Sequence, residues 1–345
     1  MQQPEPGSGQ GRAVAVFGAL GHTGRFVVAA LLRHGFAAIA IGRDRVALSA
    51  SGFEPRGVAV RVASVDDPAS LDRALAGATA IINCAGPFLD TAEAVTAAAL
   101  RARIHYLDVS AEQASAQATY VRCHGAARDA GVIVMPAMGF YGGLADLLAT
   151  AAVSDWDHAD AIHIGIALDS WRPTRGTRIT GQRNTAPRQV IRDGKLSPLV
   201  GSQTSWDFAD PFGRQEVTEL PFSEVPLIAR HLRVMELRTY LNHAPLRDLR
   251  DTTTPPPTAA DDSGRSTQTF LVDVIARKGS QTRRATALGR DIYAVTAPLL
   301  VEAVRRILDG EARGSGALAP GDVFDARDYL RALSPEPLTI AIPGK

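Results

Sequence analysis

The chain is poor in the residues on which several enzyme classes depend. Its 345 residues hold two cysteines, Cys84 and Cys123, and no CxxC pair. That argues against a disulfide framework or a cysteine-rich metal site, and makes a reducing cytoplasm the expected setting. The eight histidines form no HxxxH or HExxH spacing, so no metal centre is expected. No serine sits in a GxSxG elbow, which leaves a hydrolase unsupported. Lysine occurs at only three positions, 195, 278 and 345, against 34 arginines, so arginine richness by itself carries little meaning. The net charge of +1 gives no electrostatic case for nucleic acid or a membrane surface. No apolar run approaches the roughly 18 residues of a membrane span. The opening residues 1–12 lack the basic start and apolar stretch of a signal peptide and read as a disordered N-terminus.

What is present is apolar and well punctuated. At 46% hydrophobic and 21% charged, the chain can bury a large core, and its length favours two domains. Over residues 13–150, short apolar runs (13–17, 38–41, 58–62, 80–84, 104–109 and 132–135) alternate with helical patterns near 23–34, 45–50, 68–76, 91–102 and 112–130. Continuous hydrophobicity in the strands implies burial on both faces, and the alternation predicts a Rossmann-type, doubly wound parallel sheet in the α/β class. After residue 150 the pattern changes. Period-two alternation over 160–168, 232–241, 269–277 and 282–289 predicts a second α+β domain, 151–345, built on an antiparallel sheet. An amphipathic helix is expected over 293–308, and the polar, proline-rich stretch 251–266 reads as a mobile loop.

The stretch "VFGALGHTGRFVVAALL" (16–32) places Gly18, Gly21 and Gly24 between the first strand and the first helix. A glycine turn there exposes backbone N–H groups at the positive end of a helix, where a dinucleotide diphosphate approaches without meeting a Cβ. The second strand ends Ile41-Gly42-Arg43-Asp44. An acidic residue there serves the ribose hydroxyls of NAD, whereas an arginine suits a 2′-phosphate. Arg43 therefore favours NADP, and Asp44 is read as the cap of the helix that follows. The fourth strand runs into "INCAGPF" (82–88), whose Gly-Pro turn lies at the carboxyl edge of the sheet, where ligands of such folds bind.

These segments, with "IHYLDVSAE" (104–112) and "MPAMGFYGGLADLLA" (135–149), resemble the NADP-binding domain of the saccharopine dehydrogenase-like oxidoreductases. That family includes trans-acting enoyl reductases. The likeness is dense from 13 to 150 and thinner afterwards. It implies cofactor contacts at Gly18, Gly21, His22, Thr23, Gly24, Arg43, Ser64, Cys84, Ala85, Gly86, Pro87 and Phe88. Three positions depart from the family pattern: Leu20 where Thr or Ser is frequent, Ser64 where Asp is common, and Ala111 where Gly is common.

Catalytic residues are harder to read. None of the six tyrosines is followed four residues later by lysine, so the YxxxK pair of short-chain dehydrogenases is absent. The candidates are Asp108 and Glu112 after the fifth strand and Tyr141 after the sixth; an aspartate placed like Asp108 is more often a helix cap or turn former, and a tyrosine like Tyr141 a packing residue with a satisfied hydroxyl. Between 169 and 195 seven cations stand against Asp169 and Asp193. Such a segment suits an acidic substrate or acyl-carrier protein, although a solvated loop is the better reading. The expectation is an NADP-dependent oxidoreductase reducing a C=O, C=N or conjugated C=C bond of a small-molecule or carrier-bound substrate. A noncatalytic NADP sensor resembling the NmrA-like regulators is the alternative. No nucleic-acid partner and no membrane span are expected, and a homodimer is the candidate assembly.

Overall fold

The computed structural model describes residues 12–344. The disordered start expected over 1–12 lies outside the described residues except for Arg12. Six strands, β1 (Ala13–Phe17), β2 (Ala37–Gly42), β3 (Ala59–Val62), β4 (Ala78–Asn83), β5 (His105–Asp108) and β6 (Ile133–Met135), alternate with five helices: α1 (His22–Arg33), α2 (Arg45–Ser49), α3 (Pro68–Ala74), α4 (Phe88–Ala102) and α5 (Gln113–Ala130). The strands stand in the order β6-β5-β4-β1-β2-β3, and every pairing is parallel. Unbroken apolar runs follow from this layout. Val14, Val16, Ile82 and Leu107 cluster with α1 on one face, while Ala15, Ile39, Ile81 and Tyr106 cluster with α4 and α5 on the other. Capping sets the helix starts: Asp44 accepts from Ala47 N at 3.0 Å and Asp67 from Ser70 N at 3.1 Å, each satisfying an orphan donor.

A π-helical turn (Phe140–Leu144) leads into α6 (Ala145–Val153). The chain then lays down β7 (Ala159–Leu168), α7 (Arg175–Arg183), β8 (Gln189–Arg192), β9 (Lys195–Pro198), β10 (Gln203–Asp207) and β11 (Arg214–Glu219). It continues through α8 (Glu224–His231), β12 (Val234–Asn242), α9 (His243–Arg250), β13 (Thr269–Lys278), β14 (Gln281–Arg290) and α10 (Thr296–Leu308). The last elements are β15 (Gly316–Ala317), α11 (Pro320–Val323), α12 (Ala326–Ala332) and β16 (Leu338–Ala341).

The second sheet runs β10-β11-β12-β7-β13-β14-β16. Its β13–β14 hairpin turns where expected. The expectation of an antiparallel sheet needs one correction, because β7 and β12 are parallel. The chain between them makes a crossover through α7, two hairpins and α8, and so returns to the end of the sheet from which β7 started. Meanwhile β15 pairs parallel with β6, so the seventh strand of the first sheet comes from the far end of the chain. The two sheets share a core: Val14, Ile82 and Leu107 belong to the same buried cluster as Leu148 of α6, Val272 of β13 and Leu300 of α10. Among the described residues no helix is long and apolar enough to cross a membrane.

One buried ion pair links α6, α8 and α11. Nε2 of His231 lies 2.7 Å from Asp146 Oδ1, with side-chain exposures of 7% and 0%, and Gly321 N donates to the other carboxylate oxygen at 2.7 Å. Burial acts to lower the His231 pKa, but the charge and hydrogen bond of Asp146 outweigh it and leave the pKa raised. A raised histidine contributes its full stabilisation below the unfolded value of about 6.5 and loses it as the pH rises through the folded value. Asp146→Asn is therefore expected to destabilise by about 3–5 kcal/mol near pH 6. The gap in Tm from the wild type should narrow toward pH 9 in thermal melts; a gap independent of pH would show that the pair is not ionic.

Candidate functional site

The carboxyl ends of β1, β2, β4 and β5 open on a cleft of about 1310 Å³, and the second half of the chain forms its opposite wall. On the first-sheet side lies the glycine turn. Gly18 has φ +79°, and a Cβ there would come within 2.9 Å of Ala85, so only glycine lets the turn pass beneath the β4 loop. Gly21 N bonds Gly18 O at 3.0 Å. The cap of α1 is Gly21, which supplies no side-chain hydrogen bond, so the N–H groups of the first helical turn are left for a ligand. Gly18, Gly21, His22 and Thr23 line the cleft. Gly24 does not: it is buried, and a Cβ there would overlap Gly18 O at 2.3 Å. Its place is beneath the turn, where it allows close packing of helix on strand.

His22 Nε2 is buried without a hydrogen-bond partner, and its ring meets Phe26 and Tyr293 edge-on at 5.2 and 5.4 Å. Burial holds its pKa below the usual value, against the pull of Asp291. Arg43 is exposed at the cleft next to Gly42. Ser64 lies outside the lining, where its hydroxyl donates to Asp66 at 3.2 Å; its neighbours Val65 and Asp66 reach the cleft instead. Cys84, Ala85, Gly86, Pro87 and Phe88 all line it. The helix after them starts at Phe88, three residues earlier than its expected start at 91, which brings the Gly-Pro turn directly onto a helix N-terminus.

A buried hydrogen-bonded chain holds these loops in place. Asn83 accepts from Ala85 N at 3.0 Å and donates to Thr91 Oγ1 at 3.1 Å and Tyr106 Oη at 3.3 Å. Tyr106 in turn donates to Asp108 Oδ2 at 2.8 Å, while Asp108 Oδ1 accepts from Ser110 N at 2.9 Å and Ala137 N at 2.7 Å. Asp108 is fully buried and does not line the cleft. Burial raises its pKa, and the three hydrogen bonds oppose that rise. Its observed place is that of a loop tie. Glu112 does line the cleft, yet its two oxygens accept from Phe88 N at 2.8 Å and Leu89 N at 3.3 Å, so the carboxylate caps α4. Burial again raises its pKa first, with those two bonds opposing.

Tyr141 is placed by the π-helical turn. Ala137 O nests against Gly142, where a Cβ would lie 2.2 Å from that oxygen, and the wider turn swings the Tyr141 ring into the cleft. The ring is 8% exposed, stacked 4.1 Å from Phe222 at 25° and tilted against Trp171 at 5.6 Å. Its hydroxyl is buried and has no hydrogen-bond partner. Burial pushes its pKa well above 10.

The opposite wall was the least legible part of the sequence. The arginine-rich segment is not simply a solvated loop: α7, with Arg175, Thr177, Thr180 and Arg183, roofs the cleft. Tyr293 Oη anchors its start, bonding Trp171 Nε1 at 2.9 Å, Thr174 N at 3.3 Å and Thr177 Oγ1 at 2.9 Å. Its far end reaches α4 through an Arg183–Asp90 ion pair of 2.8 Å. Arg178 donates to the carbonyls of Asp251 and Thr254 at 3.1 and 2.9 Å, while Pro256 and Pro257 line the cleft mouth. The stretch 251–266, read as mobile, thus folds across the site, because arginines of α7 and β14 satisfy its carbonyls and Asp261. Local arginine density was the one signal of this wall. Trp171, Phe222 and Tyr293 carried none.

Residues 14–135 match the family model described as the saccharopine dehydrogenase NADP binding domain. Over 154 residues the chain is 29% identical to a probable mitochondrial saccharopine dehydrogenase-like oxidoreductase of Arabidopsis thaliana, a match covering 40% of this chain and 33% of that protein. The chain therefore spans about a third of the length of the curated relative it matches. Apo saccharopine dehydrogenase (L-Glu forming) from Saccharomyces cerevisiae has the same fold, with a TM-score of 0.69 over 97% of this chain and 100% of that one at 14% identity. With the glycine turn, the "INCAGPF" loop and the two-sheet architecture in hand, residues 14–135 are similar to the saccharopine dehydrogenase NADP binding domain, and the chain as a whole shares the fold of saccharopine dehydrogenase.

Proposed function

We propose that the chain is an NADP-dependent oxidoreductase that reduces a C=O, C=N or conjugated C=C bond of a small metabolite or a carrier-bound acyl group. The observation that carries this reading is the unpartnered Tyr141 hydroxyl, buried in the same cleft as the uncapped N-terminus of α1. A bare cofactor site has no use for such a group, whereas a reducible acceptor does. When bound, NADPH supplies a hydride. His22 and Thr23 would hold the diphosphate on the free backbone N–H groups of the first turn of α1, Gly18 and Gly21 would let it approach by lacking a Cβ, Arg43 would face the 2′-phosphate, and the 84–88 loop would border the second ribose. Gly24 supports the turn from beneath, Asp108 positions the loops, and Glu112 caps α4.

The role of Tyr141 follows from its environment. A phenol whose pKa burial has raised well above 10 stays protonated at neutral pH and gives up its proton poorly. It therefore acts as a fixed hydrogen-bond donor to the oxygen or nitrogen on which charge develops. With Tyr141 keeping its proton, the proton that completes the reduction comes from water.

Two tests follow. Arg43→Ala should weaken NADPH binding about 10- to 150-fold, the loss of one charge-assisted contact, and leave NADH nearly unchanged; Gly21→Val should abolish binding of both. Fluorescence titration of the two cofactors reads this directly, and equal losses for NADPH and NADH in Arg43→Ala would remove the 2′-phosphate assignment. Tyr141→Phe should lower kcat about 10²- to 10³-fold with little change in cofactor affinity. Tight NADPH binding with no turnover on ketones, imines or enoyl thioesters would make the protein a sensor instead.

A further inference from the structure

Arg188 stands apart from the other arginines of the cleft. It follows α7 on the loop before β8 and lines the cleft, half-buried, with its guanidinium 5.0 Å from the Phe222 ring centroid. Phe222 is the same ring on which Tyr141 stacks. One guanidinium nitrogen donates to Pro221 O. Among the described residues Arg188 makes no ion pair, whereas Arg183 is paired with Asp90. The nearest buried acid, Glu224, directs its oxygens elsewhere: both accept from Phe222 N at 3.0 Å and one from Thr239 Oγ1 at 2.5 Å. Arg188 and Tyr141 are close enough for each to perturb the ionisation of the other. The cleft thus contains a fixed positive charge that makes no ion pair among the described residues, although the charge of Glu224 acts on it at longer range, beside a buried, unpartnered hydroxyl, on walls made by Phe222, Trp171 and Leu220.

We infer that Arg188 forms a subsite for the carboxylate of a substrate with a planar or apolar body and a single negative charge, leaving the neighbouring Tyr141 hydroxyl for the reacting atom. The guanidinium offers a fork that matches a carboxylate, and an arginine already stacked on an aromatic ring loses little freedom on binding. The aromatic walls take the body. A zwitterionic amino acid is the weaker fit, since the carboxylates of Glu112 and Glu224 already accept backbone N–H groups and Asp90 is paired with Arg183. This inference rests on the reading of the cleft as a cofactor-and-substrate site.

The experiment is a calorimetric titration of the full chain with cinnamate, its neutral isostere cinnamamide, and glutamate, with and without saturating NADP⁺; the oxidised cofactor prevents reduction of the probe. Cinnamate should bind about 10- to 150-fold more tightly than cinnamamide and glutamate, the range for one charge-assisted pair. Arg188→Gln should erase that preference and leave NADP⁺ affinity within about twofold, while Arg188→Lys, which keeps the charge and loses the fork, should retain part of it. Equal affinity for acid and amide, no binding of either, tighter binding of glutamate, or a preference that survives Arg188→Gln would overturn the inference. If Arg188→Gln does not fold, the acid–amide comparison on the wild type and on Arg188→Lys decides. Failure of NADP⁺ to bind the wild type would defeat the oxidoreductase reading alone, because the acid preference is measured without cofactor as well.

Discussion

The site depends on a buried chain of hydrogen bonds, Asn83–Tyr106–Asp108, that ties the carboxyl ends of β4, β5 and β6. Each member is fully or almost fully buried, so every lost partner would leave a desolvated polar group. Asn83 fixes the turn at Ala85, and Asp108 fixes both the 108–110 turn and the start of the loop toward Tyr141. The glycine turn then meets a rigid surface: Ala85 is the atom group against which Gly18 packs. A loose β4 loop would undo the reason for glycine at that position.

The second half of the chain completes the cleft and shares its main core with the first, while a smaller cluster around Trp206, Phe208, Val217 and Tyr240 packs on its own. Buried residues of α6, α10 and β13 join the face of the first sheet that carries α1, and β15 extends that sheet. Closure over the site is polar by contrast. Tyr293 hydrogen-bonds Trp171, Thr174 and Thr177 at and just before the start of α7, and Arg178 and Arg183 reach to the 251–254 turn and to α4. Half-exposed contacts of this kind are individually weak. The geometry therefore combines a stiff floor with a roof held by exchangeable bonds, which suits a site that must admit and release ligands.

Much of the floor was legible because its determinants are local. Strand runs buried on both faces, the glycine spacing, the aspartate caps at Asp44 and Asp67, and the Gly-Pro turn each announce themselves within a few residues. The candidate acids show the limit of that approach. Asp108 and Glu112 follow β5 at the edge where ligands bind, yet one is a tie between loops and the other a helix cap, because their oxygens meet N–H groups 24 to 29 residues away. Tyr141 was found by its position after β6. Its partners, Phe222 and Trp171, lie 81 and 30 residues further along the chain, beyond any local pattern.

By itself the sequence determined the parallel sheet, the cofactor-type turn, the arginine at the end of β2 and the β13–β14 hairpin, since each rests on periodicity or on backbone needs that neighbouring residues express. Tertiary structure alone decided that β7 and β12 run parallel, that residues 316–317 add the seventh strand to the first sheet, and that the arginine-rich segment and the proline-rich stretch close over the cleft. It also decided which side chains are left without partners. Whether Tyr141 and Arg188 are free or satisfied depends on every group packed around them, and those groups come from four separate stretches of chain brought together only by folding.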